Sequence, residues 1–99
     1  MKVRVLPPAI NDLVLAGEFY ERQESGLADY FFDNISTEVD SLVIYAGIHS
    51  QRFGFHRLLS ERFPYANYYR VVAGEVLVFR ILDCRRDPRK IRSALKKLG

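Results

Sequence analysis

Residues 63–92 read FPYANYYRVVAGEVLVFRILDCRRDPRKIR, and the period of this run decides the fold. Two apolar stretches, 65–73 and 75–83, flank Ala73-Gly74, a tight-turn pair, so they predict a hairpin. The second stretch, EVLVFRILD, is apolar on both faces and reads as a central strand. Alternation puts Tyr65, Asn67, Tyr69 and Val71 on one face and Ala66, Tyr68, Arg70 and Val72 on the other. It groups Val76, Val78, Arg80, Leu82 and Cys84 on one face, with Leu77, Phe79, Ile81 and Asp83 opposite. Arg70 and Arg80 are then expected on the solvent side of the sheet, with Arg57 nearby.

Working outward, residues 53–59 read as a further strand, completing an antiparallel meander. Asp87-Pro88 opens a last helix over 88–97, with Pro88 at the first position, where its missing N–H is not needed. In the other direction, KVRVL at 2–6 alternates and reads as a strand that Pro7-Pro8 stops. A helix is expected over 8–24, its apolar stripe formed by Ile10, Leu13, Val14, Gly17 and Tyr20. Gly17 there permits close approach of another backbone. After the Ser25-Gly26 break a second helix is expected over 27–46, with Ala28, Phe31, Phe32, Ile35, Val39, Leu42, Val43 and Ala46 inward. The short break makes the two an antiparallel pair. The predicted class is α+β, in the order β-α-α-β-β-β-α. The helical hairpin packs on one face of a small, largely antiparallel sheet, and the other face stays open to solvent.

The 99 residues are expected to form a single domain, 1–99. No run is long and apolar enough for a transmembrane helix, and the N-terminus lacks the pattern of a signal peptide. A single cysteine, Cys84, cannot form an internal disulfide, which with the rest predicts a cytoplasmic protein and no membrane partner. The net charge of +3 hides an asymmetry: residues 8–46 carry eight acids and one base, whereas residues 85–99 carry seven bases and one acid. A basic end of this kind attracts polyanions or an acidic partner segment, or simply solubilises a terminal helix.

The motifs of nucleotide, zinc-protease and zinc-finger sites are absent, and no cofactor or metal is expected. His49 and His56 stand seven apart, not at a helical ligand spacing. Cys84 beside Arg85 and Arg86 reads as a small hydrophobe at a strand end, though those arginines could lower its pKa. Tyrosines among arginines on the 65–92 segment suit nucleic acid or a partner peptide, and equally an ordinary mixed sheet face.

The 63–91 run resembles the C-terminal half of RelE/ParE-type toxins: an aromatic strand ending Tyr-Arg-Val, a turn, an apolar strand, then Arg-Arg-Asp. PPAINDLVLAGEFYE, residues 7–21, is similar to the family's first helix, so the resemblance runs from residue 2 to about 92. It implies the toxin of a type II toxin–antitoxin pair, with roles in growth inhibition and plasmid stabilisation. Its partner would be a cognate antitoxin, and DNA would be met only through the antitoxin complex. RelE-type relatives cut messenger RNA on the ribosome with cationic and proton-transfer groups. Of their set, the aromatic-strand arginine falls at Ala66 and the C-terminal tyrosine at Arg92. The preceding lysines are replaced by His56 and Arg57, and only Arg86 carries over. ParE-type relatives lack the set and poison DNA gyrase, and the RRDP ending is similar to theirs.

The resemblance therefore points to a ParE-like toxin that binds gyrase rather than cutting RNA. A RelE-like nuclease, with Arg57, Arg70, Arg80 and Arg86 as its residues, is the alternative, as is an inactive relative that only binds antitoxin. Candidate target contacts are Tyr65, Tyr69, Arg70, Arg80, Arg85, Arg86, Arg89 and Arg92. Candidate antitoxin contacts are Leu15 and Phe19, which lie off the expected stripe.

Overall fold

The computed structural model describes residues 1–97; Leu98 and Gly99, which the expected domain includes, lie outside the described residues. The chain runs β1 Lys2–Val5, α1 Pro7–Gln23, α2 Leu27–Asp40, α3 Leu42–Tyr45, β2 Gln51–Arg52, β3 Phe55–Leu59, β4 Tyr65–Val72, β5 Glu75–Asp83 and α4 Pro88–Lys96. This is the expected α+β order, with one extra helical turn, α3, and one extra strand, β2. The sheet order is β1-β5-β4-β3-β2. β1 pairs in parallel with β5, Lys2 opposite Glu75, and every other pair is antiparallel.

Pro7 and Pro8 start α1 after an extended Leu6, whose N–H donates to the Val78 carbonyl and so ties the end of β1 to β5. The helix buries Ala9, Ala16, Gly17 and Tyr20, with Leu13 partly buried. Ile10 and Val14, placed in the stripe from sequence, are instead about half exposed. Small residues face the sheet because α1 lies close to it, so the buried stripe is rotated from the line of bulky side chains. Gly17 does admit a close neighbour, but it is a side chain and not the expected backbone: a Cβ there would run into the tip of the Phe32 ring.

Glu21 closes the helical hairpin. Its carboxylate accepts from the N–H groups of Gly26 and Ala28 at the start of α2, where unpaired donors and the helix dipole favour a negative charge. Phe31, Ile35 and Val39 are the buried face of α2. The single helix expected over 27–46 breaks at Ser41, whose hydroxyl donates to the Glu38 carbonyl, a local bond that competes with the helical ladder. Past the break Leu42 is buried but Val43 is 47% exposed, contrary to the expected stripe.

Ala73 and Gly74, both with positive φ, make the β4–β5 turn. Phe53 and Gly54 make a second turn of the same kind between β2 and β3. Residues 53–54, expected to begin a strand, are therefore a turn. A bulge interrupts the β4–β5 register: Tyr68 faces Arg80 and Tyr69 faces Val78, leaving Phe79 extra. The inserted residue inverts the alternation that follows. Val76, Val78 and Ile81 consequently pack under the helices, while Phe79 and Leu82 pack on the other face. Ile81 packs against the helices as expected, but the expected placing of Leu77 and Phe79 there is overturned.

The far face is not left open. Asp87 caps α4 by accepting from the Arg89 N–H, and Ile91 and Leu95, one turn apart, cover Phe55, Ala66, Tyr68 and Leu82. The sheet is thus a middle layer, with the larger core under α1 and α2 and a smaller one under α4.

Candidate functional site

Two concave surfaces collect the residues singled out from sequence. One is a groove of about 250 Å³ between α1 and the C-terminal half of β5, lined by Asp12, Leu15, Ala16, Phe19, Tyr65, Ile81, Leu82, Asp83 and Arg86. It exists because β1 pairs only with residues 75–78 of β5, so the outer edge of residues 79–83 has no strand beside it. Leu15 and Phe19 stand on its rim at 56% and 44% exposure, where an apolar partner segment could cover them.

Asp12 seals the lower end of this groove. Its carboxylate accepts from Arg80 Nε at 2.7 Å and Nη2 at 2.8 Å, and from the Ile81 N–H at 2.9 Å. The bidentate pair fixes α1 to the unpaired edge of β5 and raises the Arg80 pKa above the usual arginine value. Arg80 is therefore a structural tie, not a neighbour of Arg70 on the far face, as alternation had suggested.

The charges after β5 divide in the same way. Arg85 grips Asp83 through its backbone N–H and guanidinium, and Arg89 grips Asp87. Those bonds hold the Asp83 and Asp87 carboxyls below the ordinary carboxylate range. Arg86 is exposed, lines the groove and makes no ion pair among the described residues.

The second surface lies on the α4 face, a cleft of about 370 Å³ lined by Phe53, Phe55, Arg70, Arg92, Leu95 and Lys96. The Arg70 guanidinium lies 3.9 Å above the Phe55 ring centre and 5.5 Å from Phe79, with its Nε donating to the Gly54 carbonyl. Arg92 lies over Phe53 at 5.3 Å. Arg57 stands opposite Tyr68 across β3 and β4 on the same face, its Nε buried and without a partner. Cations stacked on aromatic faces form a surface suited to anionic or π-rich ligands.

Of the four nuclease candidates, then, Arg57 and Arg70 lie on the α4 face and Arg80 and Arg86 on the α1 side. Tyr69 is fully buried in the larger core. Tyr65 packs against Phe31 and Tyr20 beside the groove, and its phenol is pushed up to about 12, first by burial and then by Tyr20 and Asp83. Neither tyrosine reaches the basic cleft. Tyr68 does lie beneath it, but burial raises its phenol against the opposing pull of Arg57. The Cys84 thiol is raised as well, by burial, rather than lowered by the arginines beside it. Sequence reasoning missed the aromatic platform of Phe53, Phe55 and Phe79. Alternation held a signal for Phe53 and Phe55, whereas the bulge hid Phe79.

A third cleft, about 630 Å³, lies elsewhere, between α2 and the β3–β4 connection, with Asp33, Glu38 and Glu61 among its lining residues. No helix is long and apolar enough to cross a membrane among the described residues.

No protein-family model matches the chain, and no curated protein matches it. Among solved structures it is similar to a chain of the chromosomal ParDE TA system from P. aeruginosa. The two are 26% identical with a TM-score of 0.75, the match covering 82% of this chain and 92% of that one.

Proposed function

We propose that this chain, a ParE-like member of the RelE/ParE superfamily, is the toxin of a type II toxin–antitoxin pair that acts in the cytoplasm by binding DNA gyrase. The likeness to a ParDE chain supports a type II toxin of ParE type. The observation that carries binding over cutting is the separation of the candidate cations. A nuclease needs them focused, with a proton-transfer group, on one phosphate. Here Arg80 is spent on Asp12, Arg86 stands across the sheet from Arg57 and Arg70, and the nearest phenols are raised above their ordinary pKa.

The cognate antitoxin docks in the α1–β5 groove in this reading. Leu15 and Phe19 supply apolar cover and Arg86 an unpaired cation for an acidic residue. A segment that is disordered until it binds fits such a strip, because it can follow the edge of β5 while burying side chains to either side. DNA is reached only through the antitoxin complex. Growth inhibition, and stabilisation of a plasmid carrying the pair, follow from the toxin outliving its antitoxin.

One observation favours a second reading. The aromatic cleft bearing Arg70, Arg92 and Lys96 could hold RNA, as a RelE-like ribosome-dependent nuclease requires. Controlled expression in bacteria separates the two. A DNA-damage response with gyrase cleavage complexes on purified DNA is expected. Translation arrest with cuts in ribosome-bound message would replace the first reading by the second. Unchanged growth would leave an inactive relative that binds only antitoxin.

A further inference from the structure

Three side chains meet where the linker between α3 and β2 crosses the sheet. Tyr69 of β4 is fully buried, and its hydroxyl oxygen accepts from the Gly47 N–H at 2.9 Å. The same hydroxyl is hydrogen-bonded to His49 Nδ1. His56 of β3 stacks on the Tyr69 ring, with centroids 5.1 Å apart and planes 22° from parallel. Its Nδ1 lies 2.7 Å from the His49 carbonyl oxygen.

Donor bookkeeping assigns the protons. The buried Tyr69 hydroxyl proton needs an acceptor; Gly47 N–H can only donate, and His49 Nδ1 is the other partner among the described residues, so the proton is directed at His49 and its Nδ1 is bare. His56 faces a carbonyl, which only accepts, so His56 Nδ1 must carry a proton. The two histidines are opposite tautomers. A second proton on His56 leaves its bond intact. A proton on His49 Nδ1 makes it a donor, and the buried Tyr69 hydroxyl then has no acceptor for its hydrogen.

We infer that Tyr69, His49 and His56 form an acid-released latch that holds residues 47–50, and with them the end of α3, against the sheet. The segment it restrains bears Ile44 and Ile48, whose side chains are 78% and 72% exposed. Release therefore changes the presentation of an apolar strip well away from the α1–β5 groove and the α4 cleft. Tyr69 from β4 and His56 from β3 are the titratable groups that act on His49 among the described residues, with no carboxylate among them. Burial, and then the neighbouring His56, hold the His49 pKa below that of a free imidazole. Because that folded-state pKa is lowered, the latch contributes fully above the free value of about 6.5 and weakens as the pH falls through and below it.

Long-range proton–nitrogen spectra of the wild-type protein near neutral pH test the assignment directly. His49 protonated on Nε2 and His56 on Nδ1 is the expected result; His49 protonated on Nδ1 overturns the latch. Exchange of the Gly47 amide, corrected for its intrinsic rate, gives the second measurement. Its protection falls at least roughly tenfold between about pH 7.5 and pH 5, as stranding a buried hydroxyl without an acceptor requires. In His49→Gln, which cannot titrate, the fall is under about twofold. An equal fall in both proteins refutes acid release through His49. If His49→Gln does not fold, the wild-type tautomers still decide.

Discussion

Replacing Asp12 with Ala removes three bonds from one carboxylate: two from Arg80 and one from the Ile81 N–H. Charge-assisted bonds contribute about 1.5–3 kcal/mol each, but bonds to one group do not add. Breaking a buried pair by deleting one partner costs about 3–5 kcal/mol, because a charge is stranded. The Arg80 side chain is 22% exposed, against 9% for Asp12, so its guanidinium can regain some water. The expected loss is therefore roughly 2–3 kcal/mol, below the fully buried range. In a domain of this size that is a fall in Tm of roughly 10–20 °C.

The assay is denaturant or thermal unfolding of four proteins: wild type, Asp12→Ala, Arg80→Met and the double variant. With the stranded cation gone, the double variant recovers at least about 1 kcal/mol relative to the sum of the singles. A loss under about 0.5 kcal/mol for Asp12→Ala, or strict additivity in the cycle, refutes the claim that this pair ties α1 to β5.

Other outcomes follow from single contacts. Gly17→Ala gains helix propensity but drives a methyl into the Phe32 ring, so a net loss of about 1 kcal/mol is expected on unfolding, relieved when Phe32→Leu is added. Leu15→Asp with Phe19→Asp lowers antitoxin affinity in a titration at least about tenfold while Tm holds, since both residues are about half exposed; unchanged affinity refutes docking there. Arg86→Glu weakens toxicity or antitoxin binding with little change in Tm, and the wild-type interaction weakens as salt rises. A lowered Tm with toxicity intact would make Arg86 structural instead.

How much of this was legible depends on the range of the forces involved. The hairpin at Ala73-Gly74, the helix starts at Pro7 and Pro88 and the 75–83 strand are local matters of backbone preference, and the sequence reading places them well. The bulge at Phe79 has no local signature: it is set by how β4 and β5 pair, and it puts the two halves of β5 out of phase, so one strict alternation places Ile81 and Leu82 correctly and Val76, Val78 and Phe79 on the wrong faces. Arg80, expected beside Arg70, is found on Asp12 at the edge of β5 that β1 leaves free. The tie joins residues 68 apart, beyond the reach of periodicity. The rotated stripe of α1 has another cause. Ala9, Ala16 and Gly17 are buried because they are small, and a reading that follows bulk picks Ile10 and Val14 instead. Arg85 and Arg89 found acids two residues away, whereas nothing local set Arg86 apart as the cation without an acid.

The parallel pairing of β1 with β5 sets a schedule for the molecule. Lys2 finds its partner at Glu75, so the first residues made wait for nearly the last strand. Closing so long a loop is slow compared with forming the α1–α2 hairpin, whose contacts are near in sequence. On the ribosome, synthesised at roughly 5–20 residues per second, the N-terminal half spends several seconds without its sheet. Throughout that interval Asp12 has no Arg80 and the edge beside Leu15 and Phe19 does not exist. A partner that recognises the groove can meet it only once β5 has been made and paired, so recognition tests the folded sheet and not the nascent hairpin.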